Sequence, residues 1–456
     1  MHQRRPILAA ADAIFPSGFV WGAATSAYQV EGAVTEGGRG ESIWDIFSHR
    51  PGAIADGSTG EIACDSFHRS REDIALMREL GLTGYRFSIA WPRIFPTGSG
   101  TPNQTGLDHY RRLVEALAEA GIEPLVTLYH WDLPRPLQSR GGWTNRDTAA
   151  RFGEYAQTVA RALGPEVRHW VTVNEPWVAA FLGHLVGIHA PGQRDRRAAL
   201  AAAHHLLLAH ADGMTALRAE LPANAQAGIA LNLAPVAPLG DSNADAEAAE
   251  RFDGFLNRWF LDALYQGRYP ADMLTLYDDD LPEIRPDDLA RIATPTDFLG
   301  VNYYAPNTVR WSRGAPMVEA EMTPRPGVPQ TAMGWEIDPQ GLFQVLTRLH
   351  AEWAPASIRI TENGAAFDDR LVDGAVDDPD RERYLHDHLL EAFRAVEAGV
   401  PLAGYYAWSL LDNFEWNHGY AKRFGLVHVD YLTQTRTIKG SGRWYGEVTR
   451  ENGVRG

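Results

Sequence analysis

The stretch Leu107-Asp108-His109-Tyr110-Arg111-Arg112-Leu113-Val114-Glu115-Ala116-Leu117, followed by Gly121-Ile122 and then Leu125-Val126-Thr127-Leu128, decides the fold. Leu107, Tyr110, Leu113, Val114 and Leu117 recur at helical spacing and line one face of an amphipathic helix. Gly121 suits the left-handed residue that closes a helix. Ile122 can pack that turn beneath a sheet, and the apolar run after it reads as a buried strand. The same order of parts recurs twice. Ile74, Met77 and Leu80 lead through Gly81-Leu82 into Tyr85-Arg86-Phe87-Ser88-Ile89, and another helix ends at Gly399-Val400 before Ala403-Gly404-Tyr405-Tyr406-Ala407-Trp408.

Further strands are expected at 19–29, 170–173, 228–233, 298–304 and 358–360, which brings the count to eight. Eight strand-then-helix units without a break in composition predict an α/β protein built as a single (β/α)8 TIM barrel. A doubly wound sheet would need a glycine-rich phosphate turn, and the chain contains no G-x-G-x-x-G. The expected organisation is an N-terminal tail over 1–14 and one barrel domain over 15–450. Segments 31–66, 305–337 and 411–440 are rich in Gly, Pro, Trp, Asn and Asp and follow expected strands 1, 6 and 8. They read as extended loops on the C-terminal face of the strands, where barrel active sites are built. The acidic stretch 276–288 reads as solvated surface.

Composition narrows the partners. The 456 residues are 45% hydrophobic and 22% charged, an ordinary globular balance. A formal charge of −16 argues against nucleic acid or an anionic membrane as the main partner. The single cysteine, Cys64, excludes an intramolecular disulfide and any multi-cysteine metal site. Near the N-terminus the apolar run 7–11 is short and interrupted by Asp12, unlike a secretory core, and no stretch approaches the length of a membrane helix. A cytoplasmic location is therefore expected. His204, His205 and His210 share an Ala/Leu-rich helix, but there is no H-E-x-x-H and no carboxylate cluster, so neither metal nor cofactor is expected.

Two segments carry the chemistry: Thr172-Val173-Asn174-Glu175-Pro176 and Ile360-Thr361-Glu362-Asn363-Gly364. Each ends a β-branched run at a strand-stopping residue, Pro176 in one case and the Asn363-Gly364 turn in the other. Two glutamates therefore sit at strand ends beside a side-chain amide. A facing pair of carboxyls, one an acid and the other a nucleophile or base, is what cleaves a glycosidic bond. The remaining strand ends offer Gln29, Arg86, His130-Trp131-Asp132, Asn302, Tyr304 and Trp408, and the last loop adds Glu415-Trp416. Amides and carboxylates bind sugar hydroxyls, and flat indoles cover the apolar C–H face. A barrel would gather all of them at one mouth.

On these residues the chain resembles the retaining β-glucosidases and β-galactosidases of glycoside hydrolase family 1. Asn174-Glu175-Pro176 and Thr361-Glu362-Asn363-Gly364 match the family's catalytic motifs. Tyr85-Arg86-Phe87-Ser88, Asn302-Tyr303-Tyr304, Gly334-Trp335-Glu336 and Lys422-Arg423-Phe424-Gly425 match in order, from about Phe15 to Tyr445. The resemblance implies Glu175 as general acid/base and Glu362 as nucleophile, with Arg86 and Tyr304 favouring the charged form of Glu362. It assigns Asn174 to the sugar 2-hydroxyl, and Gln29, His130, Trp131, Asn302, Trp408, Glu415, Trp416 and Phe424 to the glycone. Trp177 and Trp335 are implied as aglycone-side walls.

The implied substrate is a small β-glucoside or short oligosaccharide, with β-galactoside and β-fucoside side activity. Relatives that use 6-phosphorylated sugars carry Ser, Lys and Tyr in the loop after strand 8. This chain has Asn413-Phe414-Glu415-Trp416-Asn417-His418, and a carboxylate there points to an unphosphorylated sugar. Thioglucosidases replace the acid/base glutamate with glutamine, whereas Glu175 is intact, so O-glycosides are expected. A sugar-binding homologue without activity would lack one of the two glutamates; both are present.

Overall fold

The three helix–glycine–strand units close as the sequence spacing predicts. In the computed structural model, which describes residues 12–455, Gly81, Gly121 and Gly399 all have left-handed φ, between 70° and 91°. At the second unit Ile122 N–H donates to Leu117 O and Gly121 N–H to Ala118 O, at 2.9 and 3.0 Å. The other two units repeat this pair of bonds, Leu82 to Met77 and Val400 to Ala395 being the longer reach. This is the Schellman geometry, which occupies carbonyls that the helix end would leave bare.

The strands that follow these and the other helices are β1 (Val20–Ala24), β2 (Gly84–Ser88), β3 (Glu123–Tyr129), β4 (His169–Asn174), β5 (Gln226–Asn232), β6 (Phe298–Asn302), β7 (Ile358–Asn363) and β8 (Leu402–Trp408). All neighbours pair in parallel and β8 returns to β1, closing an eight-stranded barrel. The surrounding helices include α1 (Ser66–Glu79), α2 (Gln104–Glu119), α3 (Asp147–Leu163), α4 (Arg196–Glu220), α5 (Trp259–Gln266), α6 (Pro339–Glu352), α7 (Pro379–Glu397) and α8 (Gly440–Glu451). The barrel interior is filled by Leu125, Val171, Ala230, Phe298 and Tyr406, with Trp408 and Phe424 closing its upper end. A second, larger apolar layer lies between strands and helices. Both faces of each strand are buried, which explains why β4 and β7 read as continuous rather than alternating patterns.

Several boundaries differ from expectation. β1 stops at Ala24, and Gln29 lies on a one-turn helix, Ala27–Val30, because Ser26 and Ala27 turn back toward β2 through the Ala27 N–H to Ser88 Oγ bond. β6 ends at Asn302, leaving Tyr304 just beyond it, and β7 runs on through Asn363. The acidic stretch 276–288 is not wholly solvated. Asp288 is buried, accepts from Arg146 and the Arg285 N–H, and sits 3.0 Å from His204 Nε2. Residues 1–11, most of the expected tail, lie outside the described residues. At its edge Ala13–Ile14 pairs antiparallel with Gly453–Val454, carrying regular pairing past the 15–450 span. Among the described residues no helix is long and apolar enough to cross a membrane.

Candidate active site

Glu175 and Glu362 both emerge where the barrel loses its regular register. The β4–β5 ladder shifts between Val171 and Asn174, and the β7 ladders shift on both sides between Ile360 and the Glu362–Asn363 end. Such irregularities re-aim side chains at a strand end. Glu175 also adopts φ 45°, a left-handed conformation uncommon outside glycine. Its N–H is held by Ala230 O at 2.9 Å. After β7 the chain must pass close under β8: a Cβ on Gly364 would lie 1.8 Å from the Trp408 carbonyl, so only glycine fits.

The two carboxyls receive unlike donors. Arg86, fully buried on β2, donates Nη1 to Glu362 Oε1 at 2.5 Å and Nη2 to Asn174 Oδ1 at 2.6 Å. The Arg86 fork is itself oriented by Thr127 Oγ1 and Thr361 O. Tyr304 OH donates to the other oxygen of Glu362 at 2.6 Å. Glu175 receives only a neutral amide, Asn302 Nδ2 at 2.6 Å, and Asn302 is turned by Thr361 Oγ1. Burial pushes the Glu175 carboxyl up to about 8, and repulsion from Glu362 adds to it. Burial also holds the Glu362 carboxyl above its ordinary value, and Arg86 first and then Tyr304 offset part of that rise. Of the coupled pair, Glu362 is the one held charged and Glu175 the one that keeps a proton.

Around this pair the amides and rings interlock. Asn174 Oδ1 also accepts from Asn302 Nδ2 at 3.0 Å, while its Nδ2 faces His130 Nε2 at 3.3 Å. Burial and the Arg86 charge push the His130 imidazole well below its usual value, so it is neutral. With Nε2 accepting from Asn174, the tautomer assigned by this bond places the ring proton on Nδ1, free to donate. Trp131 is locked by its indole N–H on Asn174 O and packs 4.7 Å from Trp416. His130 lies parallel to Trp408 at 5.9 Å.

Gln29, brought in by its one-turn helix, donates to Asn413 and Phe414 O and reaches Glu415 Oε2 at 3.5 Å. Burial and then repulsion from Glu362 push Glu415 up to about 8, against hydrogen bonds from Trp408 and Gln29. Phe424 and Trp335 close over Tyr304, at 6.1 and 5.4 Å between rings. Trp177 packs against Phe181 and Phe255.

Sequence reasoning missed the supporting residues. Thr127 and Thr361 orient Arg86 and Asn302, and Asn363 ties Tyr303 O, Tyr384 and Tyr405 together behind Glu362. Thr361 and Asn363 flank Glu362 in its motif, which was the available signal; Thr127 carried none. The histidines of α4 are placed as hydrogen-bond partners, His204 on Tyr269 and Asp288, His205 on Trp143 O and His210 on Thr172. Among the described residues no group of three or more His, Cys, Asp or Glu could hold a metal ion.

Residues 11–454 match the profile of glycosyl hydrolase family 1. Beta-glucosidase A of Acetivibrio thermocellus is 49% identical over 446 residues, covering 96% of this chain and 99% of that protein. A bifunctional beta-D-glucosidase/beta-D-fucosidase of Bifidobacterium breve is 44% identical over 464 residues, covering 97% and 99%. Among solved structures, the beta-glucosidase from Thermotoga maritima in complex with deoxynojirimycin superposes with a TM-score of 0.94 at 46% identity, covering 97% and 100%. The chain belongs to glycosyl hydrolase family 1.

Proposed function

We propose that this protein is a retaining β-glucosidase that removes terminal non-reducing β-D-glucosyl residues from small glucosides and short cello-oligosaccharides. The observation that carries the reading is the asymmetry of donors around two buried carboxyls in one polar cluster: a guanidinium and a phenol on Glu362, a single amide on Glu175. Glu362 is the nucleophile. Its carboxylate attacks the anomeric carbon while the bond to the leaving oxygen breaks, and Glu175 gives that oxygen its proton. Glu175, now charged, takes a proton from water, whose oxygen attacks the same carbon and releases Glu362. Burial and repulsion keep Glu175 protonated near neutral pH for the first step. Once Glu362 is esterified that repulsion is gone, which lowers Glu175 toward the base it must become.

Asn174 has one amide N–H left for the sugar 2-hydroxyl after serving His130. In this reading His130, Gln29 and Glu415 meet the remaining hydroxyls, and Trp408 is the stacking floor with Trp416 beside it. Phe424 and Trp335 stand on the leaving-group side. Trp177 retains its expected wall role only through the short link to Glu175. A Glu415 carboxyl raised to about 8 can donate as well as accept at neutral pH. Rejection of a 6-phosphate then rests on Glu415 occupying the loop after β8, where its carboxyl offers a dianion no cation, while the loop's Lys422 is drawn to Ala332 O. β-Fucosides, and β-galactosides more weakly, are expected side substrates.

The test uses the two glutamate variants with azide. Glu362→Gly should form the α-glucosyl azide and Glu175→Ala the β-azide; exchanged products would reverse the roles. With unmodified enzyme, NMR should show β-glucose released first. Initial α-glucose would overturn retention.

A further inference from the structure

Of the 42 lysine and arginine residues only two are lysine, Lys422 and Lys439, and both follow β8. Lys439 is wholly buried between Asp369 and Asp412, a structural ion pair. Lys422 is different: it is half-buried, and its ammonium donates to one backbone carbonyl, Ala332 O. Ala332 belongs to a tight turn over 330–336. Gln330 pairs with Glu336, Thr331 N–H donates to Trp335 O, and Gly334 takes the left-handed conformation at φ 76° that the turn requires.

The base of this turn is tied by Arg325, whose N–H and Nε both donate to the Glu336 carboxylate. Its tip packs Met333 and Trp335 against the barrel mouth, and its hydrogen bonds to the neighbouring loops run through Ala332. The Ala332 N–H donates to Ala366 O in the loop after β7, at 2.9 Å, and its carbonyl accepts from Lys422 in the loop after β8. Those two loops are stitched together by the Phe367–Arg423 pairing. One residue, Ala332, therefore joins three catalytic-face loops, and Trp335 sits three residues along from it, against Tyr304 and Phe424.

We infer that Lys422 is a positioning residue that sets aglycone specificity by latching the 330–336 turn, and with it Trp335, onto the loop after β8. A single extended ammonium suits this task, since it meets one oxygen as a point charge where a guanidinium fork would seek a planar, two-oxygen partner. The inference rests on reading Trp335 as an aglycone-side wall, and the experiment separates the two.

Measure kcat/KM for 4-nitrophenyl β-glucoside and for β-glucosyl fluoride, which has no aglycone ring, and follow their ratio. Lys422→Met should lower the ratio about tenfold, the scale of one lost hydrogen bond to a charged group. The drop should appear in KM for the aryl substrate, with fluoride turnover unchanged. Trp335→Ala should also lower the ratio, and the double variant should fall no further than Trp335→Ala alone. If Trp335→Ala lowers the ratio but Lys422→Met does not, or if the two losses add, the latch is overturned and the wall stands. If Trp335→Ala leaves the ratio unchanged, the wall fails and the latch with it. Should Lys422→Met not fold, acetic anhydride treatment of the folded enzyme acetylates Lys422 in place, checked by peptide mass spectrometry. An equal loss on both substrates would then overturn the latch.

Discussion

The surroundings of Glu362 and Glu175 make an instructive pair. Both carboxyls are at least nine-tenths buried, both end a barrel strand, and both sit beside an asparagine. Burial acts on each in the same direction, so it cannot decide which one holds the proton. The donors decide. Arg86 brings a full charge and Tyr304 a phenol to Glu362, whereas Glu175 has one amide from Asn302. A cation next to a carboxylate favours the charged form far more than a neutral donor does. One guanidinium, placed asymmetrically, gives two similar acids different electrostatic surroundings.

The most severe way to break this comparison is to remove its charged member. Glu362→Gly should cut kcat for nitrophenyl β-glucoside by about 10⁴-fold or more, the scale of losing a nucleophile, measured at steady state with azide absent. Arg86→Met leaves both carboxyls but abolishes the asymmetry, and kcat/KM should fall about 10²- to 10³-fold, as for other preorganised donors of a charged site. The acidic limb of the pH profile should also move upward, because Glu362 then needs a higher pH to ionise. An unmoved limb would mean that Arg86 does not control Glu362.

Tyr304→Phe sharpens the same point more gently. It removes one of the two strong donors, so a loss of about tenfold and a smaller upward shift of the same limb are expected. The smallest effect concerns stability. Folded Glu175 keeps its proton to about 8, whereas its ordinary value is 4.5. The native state therefore binds more protons than the unfolded chain between these values, and the Glu175 contribution to stability falls as pH rises through that window. Glu175→Gln, which cannot ionise, should accordingly raise Tm at pH 8 by a few degrees, at about 1 °C per kcal/mol for a chain of this length. The advantage should vanish near pH 4, and thermal unfolding at both values checks it. A variant equally stabilised at both pH values would place the cause outside Glu175 ionisation.

These contrasts also show how far the chain could be read without coordinates. The repeated helix–glycine–strand unit was legible because the Schellman turn has a local cause: glycine at the left-handed position and an apolar residue after it. The eight strands were legible because their faces are all buried and their sequences correspondingly apolar. Strand ends were less so. Gln29 was expected on a strand and stands on a one-turn helix, since a side-chain contact from Ser88, 61 residues away, turns the chain at Ala27. The acidic pattern around Asp288 reads as surface, yet Asp288 is buried, since its partners Arg146 and His204 come from other parts of the chain.

Local sequence by itself picks out the residues proposed to carry the chemistry, because the two glutamate motifs, the amides and the indoles stand in recognisable short patterns. Only the tertiary structure gives their inequality a physical cause. The motif resemblance implies an acid in Thr172–Pro176 and a nucleophile in Ile360–Gly364, but the physical cause of such a difference lies outside both segments, in Arg86 from β2, Tyr304 from beyond β6 and Asn302 from β6. Hydrogen bonding and charge act through space over a few ångströms, and closing the barrel is what brings positions 86, 175, 302, 304 and 362 within that reach.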